Sequence, residues 1–209
     1  HRSTDNGSNW APIYMSNDES EFGQIYSIDA HENAVWLAHY FSIAGSTDNG
    51  NTWPHSYSVG GCPCDVIAYL DGFWMLIDEC AQVHRSSDNG MNWAIISHID
   101  ASNFPSAFNG LASKNSKVFL TNRNGEMLMS SNHGTNWSLL LDSGNVLSFT
   151  SVFSTDSALF VCVSGKGLLR SGDDGNSWSY SNQGLSLTNV NYVMQYGNSV
   201  YCSGFGKVF

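Results

Sequence analysis

The octet Ser86-Ser87-Asp88-Asn89-Gly90-Met91-Asn92-Trp93 decides how the rest of the chain is read. Its pattern, Ser-x-Asp-x-Gly-x-x-Trp, recurs at residues 3–10, 46–53 and 171–178, and once more at 130–137, where Asn132 replaces the aspartate. Successive tryptophans (Trp10, Trp53, Trp93, Trp137, Trp178) are 43, 40, 44 and 41 residues apart, and counting on from Trp178 across the two ends to Trp10 gives 41 again. The five intervals together account for all 209 residues. A fixed period of this size marks a repeat architecture, and the chain reads as five equal units closed into a circle and cut once.

Between octets the pattern is constant. Each Trp opens an outer strand (Trp93 to His98), a loop follows, and then an apolar inner strand such as Val66 to Leu70 or Val190 to Gln195. A tight turn comes next, at Asp71-Gly72, Lys114-Asn115-Ser116 or Gly197-Asn198, and leads to a second strand: Val35 to Ala38, Phe73 to Ile77, Lys117 to Thr121, Leu159 to Val163, Ser199 to Cys202. Short β-branched and aromatic runs punctuated by Gly, Asn and Asp are strand signals. A further strand returns to the next octet, making four strands per unit, the content of a propeller blade.

The octet resembles the Asp-box, or bacterial neuraminidase repeat, of sialidases, some xyloglucan-cleaving glycosidases, sortilin-type receptors and photosystem II assembly factors. The resemblance implies an all-β, five-bladed β-propeller with four antiparallel strands per blade, in which the box is the hairpin between the third and fourth strands. Its residues have local reasons: Asp5, Asp48, Asp88 and Asp173 can accept turn N–H groups, Gly two positions on takes a φ closed to most residues, and Trp folds back on the hairpin. Asn132 can close the same turn. These residues are read as structural. One blade is composite, about 189–209 plus 1–15, with Gly206 to Phe209 continued by His1-Arg2-Ser3 as Gln82 to Ser86 runs elsewhere; the others span about 24–58, 66–98, 107–141 and 148–181. Together they form one domain, 1–209; the alternative is a piece of a longer array, such as one of seven blades.

In a propeller the boxes lie on one face, and the loops joining blades, together with the turns between second and third strands, lie on the other. The second face is the expected functional one. It takes the loops near 16–23, 59–65, 99–107, 142–148 and 181–188 and the turns near 39–42, 78–81, 122–125, 164–167 and 203–206. Large side chains there, His39, Tyr40, Phe41, Phe104, Arg123 and Phe205, are the candidate binding residues, since exposed aromatics stack on sugars or anchor proteins. Cys62 and Cys64 precede Cys80 by 18 and 16 residues. A Cys62–Cys80 or Cys64–Cys80 disulfide is expected and places the protein in an oxidising compartment, secreted or at a cell surface. Zinc competes weakly, because three cysteines are one ligand short of the usual four. Cys162 and Cys202 sit in apolar runs and read as buried.

Asp18, Glu19, Glu21, Asp65, Asp78, Glu79 and Glu126 are the carboxylates from which a glycosidase pair could be drawn, at a separation of roughly 5 Å or 6.5–9.5 Å. Solvated acidic loops, or an oxygen-rich Ca²⁺ site, are the other readings. A sialidase is not expected: that resemblance implies a three-arginine clamp on the substrate carboxylate, and here Arg2, Arg85 and Arg170 all precede octets, leaving only Arg123 on the candidate face. The seven His show no metal spacing, and no phosphate loop or nucleophile elbow occurs.

Charge bounds the partners. Eight Lys and Arg against 18 Asp and Glu leave −10 at pH 7, too few cations for a nucleic-acid stripe. No apolar run approaches the 18 or so residues of a membrane span. The expectation is a secreted, non-catalytic binding module for glycan or protein, needing no cofactor. The alternatives are a polysaccharide hydrolase and an architectural repeat of a larger surface protein or filament.

Overall fold

The computed structural model describes residues 1–5, 7–13, 24–100, 107–144, 147–185, 189–204 and 207–208. Among them all regular structure is β. Every sheet is an antiparallel meander in chain order. The first holds β1 (Ile25–His31), β2 (Ala34–His39), β3 (Ser42–Ser46) and β4 (His55–Ser58). The second holds β5 (Cys64–Leu70), β6 (Phe73–Asp78), β7 (Gln82–Ser86) and β8 (Ala94–His98). The third holds β9 (Phe108–Lys114), β10 (Lys117–Asn122), β11 (Glu126–Ser130) and β12 (Ser138–Asp142). The fourth holds β13 (Phe149–Ser154), β14 (Leu159–Val163), β15 (Gly167–Ser171) and β16 (Ser179–Tyr180). The fifth has three strands, β17 (Val190–Tyr196), β18 (Ser199–Gly204) and β19 (Lys207–Val208).

Four blades of four antiparallel strands make this a β-propeller fold. The strand expected over residues 9–15 is not among the elements: Ala11 makes a single antiparallel bridge to Arg2, and residues 14 and 15 lie outside the described ones. By compactness the chain divides into two units, His1–Cys80 with His84–Ile95, and Ala81–Val83 with Ile96–Phe209.

All five inner strands are built alike. Each pairs with the strand after it, and each carries one register shift, after Ile25, Cys64, Phe108, Phe149 and Val190. A bulge bends a strand and turns its extra residue out of the ladder, so Tyr26, Asp65, Asn109, Thr150 and Asn191 occupy one equivalent position. Inner strands of successive blades are tied by side chains reaching backbone about one period away. Ser27 Oγ accepts from Ile67 N–H at 3.2 Å and Asp29 accepts from Tyr69 N–H at 2.8 Å. In the second unit the Asn109 amide donates to the Phe149 carbonyl at 2.5 Å and Thr150 Oγ1 to the Val190 carbonyl at 3.5 Å.

Apolar burial between blades completes the packing. In the first unit Trp36, Ile43, Val59, Ile67, Trp74 and Leu76 form one cluster, each at most 2% exposed. In the second, Phe119, Met127, Phe149, Val161 and Val163 form another, all fully buried.

The octets fold as one device. The serine hydroxyl donates to the side-chain oxygen of the third residue and accepts from the glycine N–H: 2.7 and 2.8 Å at Ser46, 2.7 and 2.9 Å at Ser86, 2.7 and 2.8 Å at Ser171. The same aspartate oxygen accepts from the backbone of the seventh residue, as in Thr52 N–H to Asp48 at 2.8 Å. Asn132 does this with its amide oxygen, receiving Ser130 at 2.9 Å and Asn136 N–H at 2.8 Å. The indoles of Trp10, Trp93, Trp137 and Trp178 donate to the carbonyl of the octet glycine at 2.9–3.1 Å. Trp53 departs from this, its indole N–H buried without a partner among the described residues. Side-chain hydrogen bonds from Asn9, Asn92 and Ser177 lead the causes that hold Asp5, Asp88 and Asp173 down at about 2, and Thr52 lowers Asp48 in the same way.

Octets also lock onto the preceding blade. Gly90 stands at φ +89° directly over the Trp36 indole, and a Cβ there would overlap the ring. Trp36 Nε1 donates to the Asn89 carbonyl at 3.3 Å, and Trp74 Nε1 to the Asn89 side chain at 3.2 Å. Gly175 lies in the same way over Phe119 and Leu140.

Candidate functional site

The β2–β3 turn carries Tyr40 and Phe41, 50% and 42% exposed, with ring centroids 4.2 Å apart in edge contact. Tyr26, on the bulge of β1, stacks toward Tyr40 at 6.5 Å and 30° and is 42% exposed. Ile25 extends the apolar surface. Three aromatic rings thus meet at one end of the first blade, where the sequence had pointed only to Tyr40 and Phe41. A signal for Tyr26 was present: the equivalent position is polar on the other four inner strands (Asp65, Asn109, Thr150, Asn191).

The cluster rests on a braced frame. The Tyr40 carbonyl accepts from Cys64 N–H at 2.8 Å, the Phe41 carbonyl from Val59 N–H at 3.0 Å, and the Pro63 carbonyl from Glu79 N–H at 2.8 Å. Cys62 and Cys80 are joined in a disulfide with their Cα atoms 5.8 Å apart, tying the loop after β4 to the turn after β6. Cys64 is left as a buried thiol that donates to the Ser42 carbonyl at 3.5 Å, and burial, with the charges of Asp78 and Asp65, pushes it up to about 12. Cys162 and Cys202 are also buried and free, and burial raises both.

The remaining sequence candidates are distributed differently. His39 is not available as a binding residue: it is 6% exposed, Ser42 Oγ lies 3.0 Å from its Nε2, and desolvation lowers its pKa. It is the last residue of β2, a strand buried on both faces, and Tyr40 is the first residue of the exposed turn that follows. Asp78 is not a cleft acid either. It is fully buried, with its carboxylate 3.0 Å from His84 Nε2. Glu79 is exposed beside Cys80, and Asp65 is half-buried on β5. In the second unit Glu126 is half-buried and accepts from the Asn122 amide at 2.5 Å, while Arg123 is exposed. Asp18, Glu19, Glu21, Phe104 and Phe205 lie outside the described residues, as does most of the acidic loop considered for Ca²⁺. Among the described residues no group of three His, Cys, Asp or Glu could hold a metal ion, and no helix is long and apolar enough to cross a membrane.

The charge is divided sharply between the two units, although the aromatics are not. The unit bearing the cluster contains 12 Asp and Glu and only two basic residues, Arg2 and Arg85, whereas the other contains six acidic and six basic residues. The whole excess of −10 therefore belongs to the first unit. The second unit has its own polar cleft of about 730 Å³, lined by Lys114, Thr155, Asp156 and Gln195 among others. There the Lys114 ammonium donates to the carbonyls of Thr155 and Asp156 at 2.8 and 2.9 Å, and the Gln195 amide to the Asp156 carboxylate at 2.6 Å.

No family model and no curated protein matches this chain. Solved structures do. YCF48 bound to D1 peptide superposes with a TM-score of 0.68 at 18% identity over 95% of this chain, which spans 66% of that one. A nidogen/laminin complex matches at 0.62 and 14% identity, over 87% of this chain and 72% of that one. The GH74 enzyme of Niastella koreensis matches at 0.58 and 20% identity, over 86% of this chain and 28% of that one. At these identities the likeness is one of fold, and the fold hosts unlike functions.

Proposed function

We propose that this chain is a non-catalytic recognition module, secreted or displayed at a cell surface, that takes a protein or glycan ligand on the loop face bearing Tyr26, Tyr40 and Phe41. The observation that carries the reading is the cluster itself: three neighbouring rings, each about half exposed, on β1 and on a turn whose carbonyls are held by Val59 and Cys64, next to a disulfide-tied loop. Rigid aromatics lose little entropy on contact and dominate binding energetics. The Cys62–Cys80 disulfide supports an oxidising compartment. Similar folds solved with a peptide and in a laminin complex agree with a protein ligand.

The octet hydrogen bonds support the Asp-box assignment, and five octets together with five equally bulged inner strands support a count of five blades. Of the candidate carboxylates, Asp78 is committed to His84 and Glu126 to Asn122, which speaks against these two as a glycosidase pair, since such a pair must face its substrate.

A glycan array and a peptide array, run in parallel with polysaccharide hydrolysis assays, test the proposal. Binding should appear on an array and fall roughly tenfold or more in the Tyr40→Ala/Phe41→Ala double variant. Release of reducing ends that survives this double variant would overturn it.

A further inference from the structure

The same cluster specifies its ligand more narrowly. It lies in the unit that holds all of the net negative charge. Its frame continues directly into Glu79, exposed next to the Cys62–Cys80 disulfide and bonded through its N–H to the Pro63 carbonyl. A negative field concentrates cations near a surface and steers their approach. The faces of tyrosine rings then hold an ammonium or, better, a guanidinium by cation–π contact. An anionic ligand would meet the exposed Glu79 carboxylate and the net −10 of the unit, and a neutral sugar would make no use of either.

We propose that the Tyr26–Tyr40–Phe41 cluster docks a cationic peptide segment, with Lys or Arg side chains over the exposed tyrosine rings and Glu79 beside them. The inference rests on the reading of this face as the binding face and adds the chemistry of the partner. Neither Arg2 nor Arg85 competes for the rings from within the chain: Arg2 donates to the Asn49 carbonyl at 2.6 Å, and the Arg85 guanidinium lies 5.8 Å from the Phe73 centroid.

The test is fluorescence anisotropy with a labelled Arg-Gly-Ser repeat peptide against Gln-Gly-Ser and Glu-Gly-Ser repeats of equal length. The Arg peptide should bind at least about fivefold tighter than the Gln peptide, and the Glu peptide should not bind. Raising ionic strength from about 0.05 to 0.3 M should weaken the complex roughly tenfold. Tyr40→Ala should weaken it roughly tenfold at an unchanged melting temperature, whereas Tyr180→Ala, an exposed tyrosine of the neutral unit, should leave it unchanged. Equal affinity for the Arg and Gln peptides, no binding of the Arg peptide, or an Arg complex indifferent to Tyr40→Ala would each overturn the proposal. If a neutral peptide or glycan binds and depends on Tyr40, the face stands and only the cationic partner falls. If no ligand responds to Tyr40→Ala, both fall.

Discussion

The Asp78 carboxylate and the His84 imidazole face each other at 3.0 Å with neither side chain exposed to solvent. Tyr57, from the outer strand of the preceding blade, places its hydroxyl 3.1 Å from the other ring nitrogen of His84. Burial and the Asp78 charge push the Tyr57 hydroxyl upward. The relay fills polar valences at a blade junction, where an unmatched charge would be costly.

Removing one member of a buried pair strands the other, at about 3–5 kcal/mol. His84→Leu should therefore lower unfolding stability by about that much, and Asp78→Asn/His84→Leu by less than the sum of the two single changes. Urea denaturation of the four proteins of this cycle measures the coupling.

Acid stability should follow the octets. Asp5, Asp88 and Asp173 are held at about 2, below the ordinary 3.8, by side-chain and backbone hydrogen bonds to their ionised form. A carboxylate depressed by folding contributes stability that is complete above its unfolded pKa and lost as pH falls through the folded one. Melting temperature should therefore be flat above about pH 4 and drop between about pH 4 and 2. Asp173→Asn, which copies the octet of Asn132, should shallow that drop, and an unchanged acid limb would contradict the assignment.

Two glycines separate backbone conformation from packing. Gly90 and Gly60 both have positive φ, +89° and +80°, but a Cβ at Gly90 would overlap Trp36 while one at Gly60 would have nothing within 4 Å. Gly60→Ala should cost about 1 kcal/mol from backbone strain alone. Gly90→Ala adds overpacking and should cost about 2–4 kcal/mol. Thermal unfolding compares them directly.

Cysteine reactivity should be three-tiered. Cys64 and Cys162, pushed up to about 12 by burial, and the buried Cys202 should resist alkylation in the native protein. Denaturation should open three thiols, and reduction a further two, read by mass spectrometry. Reducing Cys62–Cys80, which closes 18 residues of chain, should cost about 3 kcal/mol.

The blade plan was legible because its causes are local. A serine hydroxyl, an Asp or Asn oxygen and a positive-φ glycine close a hairpin within eight residues, and alternating apolar runs mark strands whatever surrounds them. Hence the strands from Phe73, Lys117 and Leu159 appear almost where periodicity placed them, and Asn132 does the work of its four aspartates. The segment at 9–15 shows the limit: its octet forms, with the Trp10 indole on the Gly7 carbonyl, yet among the described residues Ala11 has only the bridge to Arg2, because strand pairing depends on partners that the local pattern does not specify.

The candidate site depended on what local pattern does not carry. His39, Tyr40 and Phe41 are neighbours in one turn region with similar claims to a surface, but the first still belongs to β2, which is covered on both faces, and the other two belong to the exposed turn. Tyr26 reaches Tyr40 because a bulge turns it out of the ladder, and Asp78 loses its claim to catalysis because His84, six residues on and on the next strand, closes over it. The amino-acid sequence by itself determined the repeat, the hairpin chemistry, the strand content and the excess of acid, all set by interactions within a few residues or by composition. Only the tertiary structure decided which side chains share a surface and which are sealed, because burial and pairing are set by strands and blades that are distant in sequence and adjacent in space.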